Sequence, residues 1–135
     1  MAQTRGGSLE SYPHALLRII AGFVFTLHGY QKLFGWFGGL GGHGRRAPLF
    51  TLLGAAAIIE SIGGPFIILG LFTRPVAFLL CGEMAVAYFS QHAPHGFWPI
   101  VNGGELAVLY CFIFLFLVAN GAGPFSVDQS IRKQS

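Results

Sequence analysis

The chain has 135 residues, 53% hydrophobic and only 10% charged, with a net charge of +3. Soluble domains carry about 25% charged residues, so this sequence has too little polar surface to cover a water-soluble domain. A mean hydropathy of +0.63 points instead to an integral membrane protein folded as one bundle.

Four segments in chain order are long and apolar enough to span a bilayer, which predicts an all-α protein with a four-transmembrane-helix bundle. The first runs from about Ala15 to Phe37. Arg18 followed by an apolar run resembles a signal peptide, but the run continues into His28-Gly29-Tyr30-Gln31-Lys32 without a small-residue cleavage site, so it reads as a retained helix. The stretch GGLGGHGRRAP then predicts a flexible loop. The second helix is expected over about 49–72, and Thr73-Arg74-Pro75 makes a tight turn with the proline suited to a first helical turn. The third is expected over about 76–91, followed by the irregular stretch HAPHGFWPIVNGG. The fourth covers about 105–120 and stops at Gly121-Ala122-Gly123-Pro124, leaving a polar tail. No internal repeat is evident.

Lysine and arginine placement sets the orientation. With the N-terminus inside, Arg5, Arg18, Arg74, Arg132 and Lys133 lie on the cytoplasmic side and only Arg45 and Arg46 outside, so both termini are expected in the cytoplasm. The basic residues are dispersed without a basic stripe, which argues against nucleic acid as a partner.

The informative residues are the charges inside the apolar runs. A charge at the centre of a membrane helix costs roughly 2.5–3.5 kcal/mol on insertion scales, yet Lys32, Glu60, Glu83 and Glu105 all interrupt such segments, with His28 beside them. His28 and Lys32 are four residues apart and share a helix face. Glu83, Ala87 and Gln91 share a face of the third helix. Gly54, Ala57, Ser61 and Gly64 form a small-residue seam beside Glu60, of the kind that lets helices approach closely in lipid. These positions predict a polar intramembrane cavity lined by His28, Lys32, Glu60, Glu83 and Glu105, usable for ligand binding or a proton relay. Arg18, one turn from the cytoplasmic face, is expected to snorkel.

Bland readings stand beside each. Glu60 could simply pair with Lys32, Glu105 could serve a helix dipole, and His28 could be a satisfied core histidine. His43, His92 and His95 match no metal-binding spacing, so no metal site is expected. Cys81 and Cys111 lie in apolar segments with no CxxC motif and read as buried, inert thiols. The 14 phenylalanines read as packing and lipid-facing residues, and Trp36, Trp98 and Tyr88 as an outer aromatic belt.

Several motifs together resemble the DoxX family: Arg18 with His28-Gly29 and Lys32-Leu33-Phe34-Gly35; Glu60-Ser61-Ile62-Gly63-Gly64 followed by Leu69-Gly70-Leu71-Phe72-Thr73-Arg74; Gly96-Phe97; Asn102-Gly103-Gly104-Glu105; and the closing Gly121, Gly123-Pro124, Ser126 and Asp128. The resemblance spans nearly the whole chain. It implies a multi-pass protein of a bacterial-type inner (plasma) membrane, associated with a larger membrane protein complex. Relatives include small subunits of a thiosulfate–quinone oxidoreductase. Glu83 stands outside the usual pattern. On this basis the chain is expected to be an accessory, non-catalytic subunit of a membrane oxidoreductase. Its cavity would bind a quinone head group or relay protons, with no covalently held cofactor, and a partner would carry the electrons. The alternatives are a structural or assembly subunit whose buried charges only lock the helices together, or a small transporter.

Overall fold

The computed structural model describes the backbone of residues 6–134 and the side chains of 9–132, and among these every regular element is helical apart from a single bridge between Leu40 and Arg45. Arg5 and the side chain of Lys133, used above for orientation, lie outside the described residues. Six α-helices follow in order: α1 (Gly6–Phe34), α2 (Leu52–Leu69), α3 (Thr73–Ala87), α4 (Pro99–Asn102), α5 (Glu105–Asn120) and α6 (Val127–Gln134).

Their ends have local causes. α1 begins well before Ala15, passes through Pro13, and stops where Gly35 takes φ 74°. Thr51 caps α2: its hydroxyl oxygen accepts from Gly54 N at 3.1 Å. At the other end Gly70 adopts φ 66°, and the amides of Gly70 and Leu71 donate to the carbonyls of Ile67 and Phe66, closing α2 with a Schellman motif. The turn into α3 is tighter than expected, because Phe72 takes a left-handed φ of 49° and the helix restarts at Thr73. α3 then continues through a π-helical turn, Tyr88–His92, and a 3-10 turn, Ala93–His95. The stretch expected to be irregular contains the short helix α4, which starts at Pro99, and the polar tail forms α6.

One helix, Leu52–Leu69, is by itself long and apolar enough to cross a membrane, and Glu105–Asn120 is apolar but shorter. At 1.5 Å per residue an 18-residue helix measures about 27 Å, close to a hydrocarbon core of about 30 Å. Among the described residues the other helices expected as spans do not combine that length with that hydropathy: α1 is long enough but more polar, and α3 is shorter.

α1 packs along α2, and α3 along α5, with lighter contact between the two pairs. Between α1 and α2 the backbones nearly touch. A Cβ placed on Gly29 would lie 2.6 Å from Ser61 N, and one on Gly22 would lie 2.9 Å from Ile68 N. The small-residue seam of α2 therefore does what its composition predicted. Phe25 reaches from α1 to Tyr110 and Phe114 of α5 through edge-to-face contacts, and Ile67, Leu80, Met84 and Leu117 complete the core.

Arg18 does not snorkel. It is fully buried, and its guanidinium donates to the carbonyls of Ala122 at 2.6 Å, Phe125 at 2.8 Å and Pro124 at 3.3 Å. The segment after α5 turns those carbonyls inward, with Gly121, Gly123 and Phe125 all at positive φ. Nearby, Arg74 donates to the carbonyls of Val118 and Ala119 at the end of α5. Asp128, at the start of α6, accepts from Phe72 N at 2.8 Å and Thr73 N at 2.9 Å, capping α3 from a distant segment. Burial pulls the Asp128 carboxyl upward, but the Thr73 and Phe72 amides and the Arg132 charge outweigh it and hold it below the usual carboxylate range.

A candidate site at the Lys32–Glu60 pair

At the opposite end of the α1–α2 contact, the close approach at Gly29 brings Lys32 over Glu60. Lys32 Nζ lies 2.5 Å from Glu60 Oε1, with Lys32 20% exposed and Glu60 1%. The carboxylate is thus held almost wholly out of solvent by one ammonium. Its other oxygen, Oε2, meets no hydrogen-bond donor.

The pair forms a wall shared by two cavities. On one side, a pocket of about 220 Å³ lies among α1, α3 and α5, with His28, Met84 and Tyr110 on its surface. On the other, a groove of about 640 Å³ runs between α2 and α3. Its sides are largely apolar, including Leu53, Ala56, Ile59, Phe78, Leu79 and Val86, and Lys32, Glu60, Glu83, Ser90, Gln91 and His92 supply its polar lining. Both carboxyl oxygens of Glu83 are buried there with no donor other than the neighbouring Glu60 carboxyl, with which one proton can be shared. Glu83 faces the charges of Glu60 and Lys32, so two acids share one base.

Of the residues singled out from sequence, Lys32, Glu60 and Glu83 meet at this wall, and His28 joins them from the smaller cavity, its ring set edge-on to Tyr110 at 6.2 Å between centroids. Glu105 does not converge with them. It is exposed on the first turn of α5, while Leu106 and Ala107 turn toward the cavity. A residue at a helix start is placed by the rotation of that start, which hydropathy does not encode.

His92 was read as a loop histidine, yet it borders both cavities, and its Nδ1 lies 3.2 Å from Asn102 O. The π turn carries it inward, since one extra residue per turn rotates the helix face. Tyr88 and Asn102 brace this end: Tyr88 donates to Phe97 O, and Asn102 Nδ2 donates to Gly96 O at 2.8 Å and to the Tyr88 hydroxyl at 3.2 Å. Among the described residues no group of three or more His, Cys, Asp or Glu is arranged to hold a metal ion.

The second finding that sequence spacing concealed is a thiol pair. Cys81 on α3 and Cys111 on α5 are both half-buried, and their sulfurs lie 3.7 Å apart.

Comparison with known proteins gives the chain relatives but no described activity. The DoxX family model matches residues 14–93. An uncharacterized protein of Haemophilus influenzae is 44% identical over 134 residues, covering 94% of this chain and 98% of its own length. A second uncharacterized protein of the same organism is 37% identical over 70 residues, 51% of this chain and 46% of that one. No solved structure gives a significant match.

Proposed function

The chain belongs to the DoxX family of small membrane proteins, and from that premise we propose that it is an accessory subunit of a bacterial inner-membrane redox complex. In this reading its α2–α3 groove holds a lipophilic quinone, and its carboxyl pair handles the accompanying protons. One observation carries the reading. A largely apolar groove of about 640 Å³ is lined by a buried acid pair beside one ammonium, and three of the pair's oxygens, Glu60 Oε2 and both of Glu83, find no donor beyond the two acids themselves. Buried polar atoms are normally satisfied, so the complement of this site is a molecule with an apolar body and hydroxyl donors at one end. A hydroquinone has that shape. Its hydroxyls donate to the carboxylates, and Lys32 donates to a ring oxygen. Oxidation to the quinone releases two protons and two electrons. The carboxyl pair takes up one proton, the other passes to bulk solvent, and a partner subunit takes the two electrons.

The membrane arrangement belongs to the same reading. α1, α2, α3 with its π turn, and α5 cross the bilayer, and both termini are cytoplasmic. Arg18, Arg74 and Arg132 then share the cytoplasmic end, and Arg45 and Arg46 lie outside. With a Cys-free background, an impermeant thiol reagent added outside should label His43→Cys and spare Ser130→Cys. Outside labelling of the second site would reverse the orientation.

The test of function is photolabelling of the purified protein in liposomes with an azido-quinone. Label should map to Leu53, Ala56 or Phe78, compete with unlabelled quinol, and fall at least tenfold in Glu60→Gln together with Glu83→Gln. Absence of saturable labelling removes the quinone role. The assembly reading has one observation in its favour, the tight Lys32–Glu60 pair. It predicts that Glu60→Gln prevents the parent complex from forming, while any complex that does form reduces quinone normally.

A further inference from the structure

We propose that Cys81 and Cys111 are a dithiol redox site, which closes to an intramolecular disulfide by giving its electrons to a bilayer-dissolved acceptor of the quinone class. This assigns the chain a redox group of its own. It does not depend on the groove, because Cys81 and Glu83 are two residues apart on α3 and so point to opposite sides of that helix.

The geometry carries the assignment. The chain has two cysteines. They lie on different helices, 30 residues apart, and the fold brings their sulfurs to 3.7 Å. A disulfide needs about 2.05 Å between sulfurs, so closure asks for a sulfur displacement of roughly 1.7 Å, within reach of side-chain rotation. The helices are already packed along each other here, with Leu80 and Met84 of α3 and Ala107 and Phe114 of α5 in one core cluster. Both thiols are half-buried at the margin of that core rather than sealed within it, which leaves them open to a lipid-phase reagent. A metal-binding role is disfavoured, because among the described residues no third ligand joins them.

The reaction balances without further parts. Two S–H bonds break and one S–S bond forms. The two electrons and two protons reduce one quinone to hydroquinone. A thiol reductant reverses the step by exchange, attacking one sulfur and releasing the other. The competing reading is that two small, weakly polar side chains simply pack together.

Purified full-length protein in phosphatidylglycerol liposomes would be treated anaerobically with decylubiquinone, and the wild type, Cys81→Ser and Glu60→Gln proteins compared. In the wild type, both maleimide-reactive thiols should disappear, the intact mass should fall by two hydrogens, and about one hydroquinone should appear per chain. Dithiothreitol should restore the thiols. Cys81→Ser should lose the reaction. Glu60→Gln should keep it, which separates this site from the quinone groove; loss in Glu60→Gln would place the chemistry in the groove and overturn an independent dithiol site. Diamide, a thiol oxidant that needs no lipid-phase site, serves as the control. A wild-type protein that forms no disulfide with either reagent has a packing pair only. One that responds to diamide alone, or that gains the mass of a quinone adduct, also overturns the proposal.

Discussion

The two ends of this bundle both anchor charge, Arg18 fully buried and Asp128 and Arg74 nearer the surface at one and Glu60 buried at the other, and they do so in opposite ways. At one end Arg18, Arg74 and Asp128 face backbone: carbonyls 118, 119, 122, 124 and 125 for the arginines, and amides 72 and 73 for the aspartate. At the other, side chain faces side chain, with Lys32 on Glu60, Glu83 beside them, and three carboxyl oxygens with no donor beyond the two acids. Charge that terminates on the main chain is architecture, because its partners arrive with the fold and have no other use. Charge left with open acceptors in a cavity is chemistry in waiting. The difference shows which buried ions in a small membrane protein to mutate for stability and which for activity.

The sharpest way to break that comparison is Arg18→Met. It strands inward-turned carbonyls in an apolar interior, and losing several charge-assisted hydrogen bonds at once should cost about 3–5 kcal/mol. Thermal unfolding in detergent reads this directly. Glu83→Gln at the other end should change stability by less than about 1 kcal/mol, because the amide has the same shape and keeps a donor for Glu60. Equal damage at both ends would dissolve the distinction.

The next effect in size is Lys32→Met, which leaves Glu60 buried without its ammonium. Breaking a buried pair from one side costs about 3–5 kcal/mol, at the lower end here because Lys32 is partly exposed. Adding Glu60→Gln should recover much of the loss. Additive losses in the double-mutant cycle would mean that the two groups act separately.

Asp128→Asn probes the architectural end with a smaller change. Weakening a cap costs about 1 kcal/mol. The pH dependence has a definite sign. The Asp128 carboxyl is held below its ordinary value, so its contribution is complete above the unfolded value of about 3.9 and is lost as pH falls through the lower folded value. Wild-type stability should therefore decline below about pH 4, and part of that decline should be absent from Asp128→Asn. Melting temperatures from pH 2 to 7 would reveal an unchanged slope if the cap is irrelevant.

The smallest effect belongs to Glu105→Gln. Exposed at the start of α5, it should alter stability by no more than about 0.5 kcal/mol and leave quinone labelling untouched. A large loss of labelling would return Glu105 to the site.

Much of the candidate site was legible because its signals are local or periodic. A glutamate in an apolar helix beside a stripe of small residues predicts close packing around a polar group, and Glu60 with its seam fits that expectation. Lys32 follows from sharing a helix face with His28. The rest is long-range or rotational. The carbonyl partners of Arg18 lie more than 100 residues away, so its depth suggested an interfacial lysine-like role. A clue was present in the closing glycines, whose positive φ values aim those carbonyls inward. The cysteine pair escaped because motif spacing works along one strand of chain, whereas these thiols meet across two helices. Glu105 and His92 were misplaced by helix rotation, one at a start and the other at a π turn.

The Gly29 contact with Ser61 has a genetic consequence. Where a Cβ would come within 2.6 Å of the neighbouring backbone nitrogen, replacing glycine by alanine pushes two helices apart by roughly 1 Å, and overpacking of this kind costs about 1–3 kcal/mol. That displacement sits one turn from Lys32, whose hold on Glu60 has no slack to give. In a survey of inactivating substitutions, Gly29 should therefore cluster with Lys32 and Glu60 rather than with the other glycines. A neutral, side-chain-free position would carry the phenotype of a missing charge.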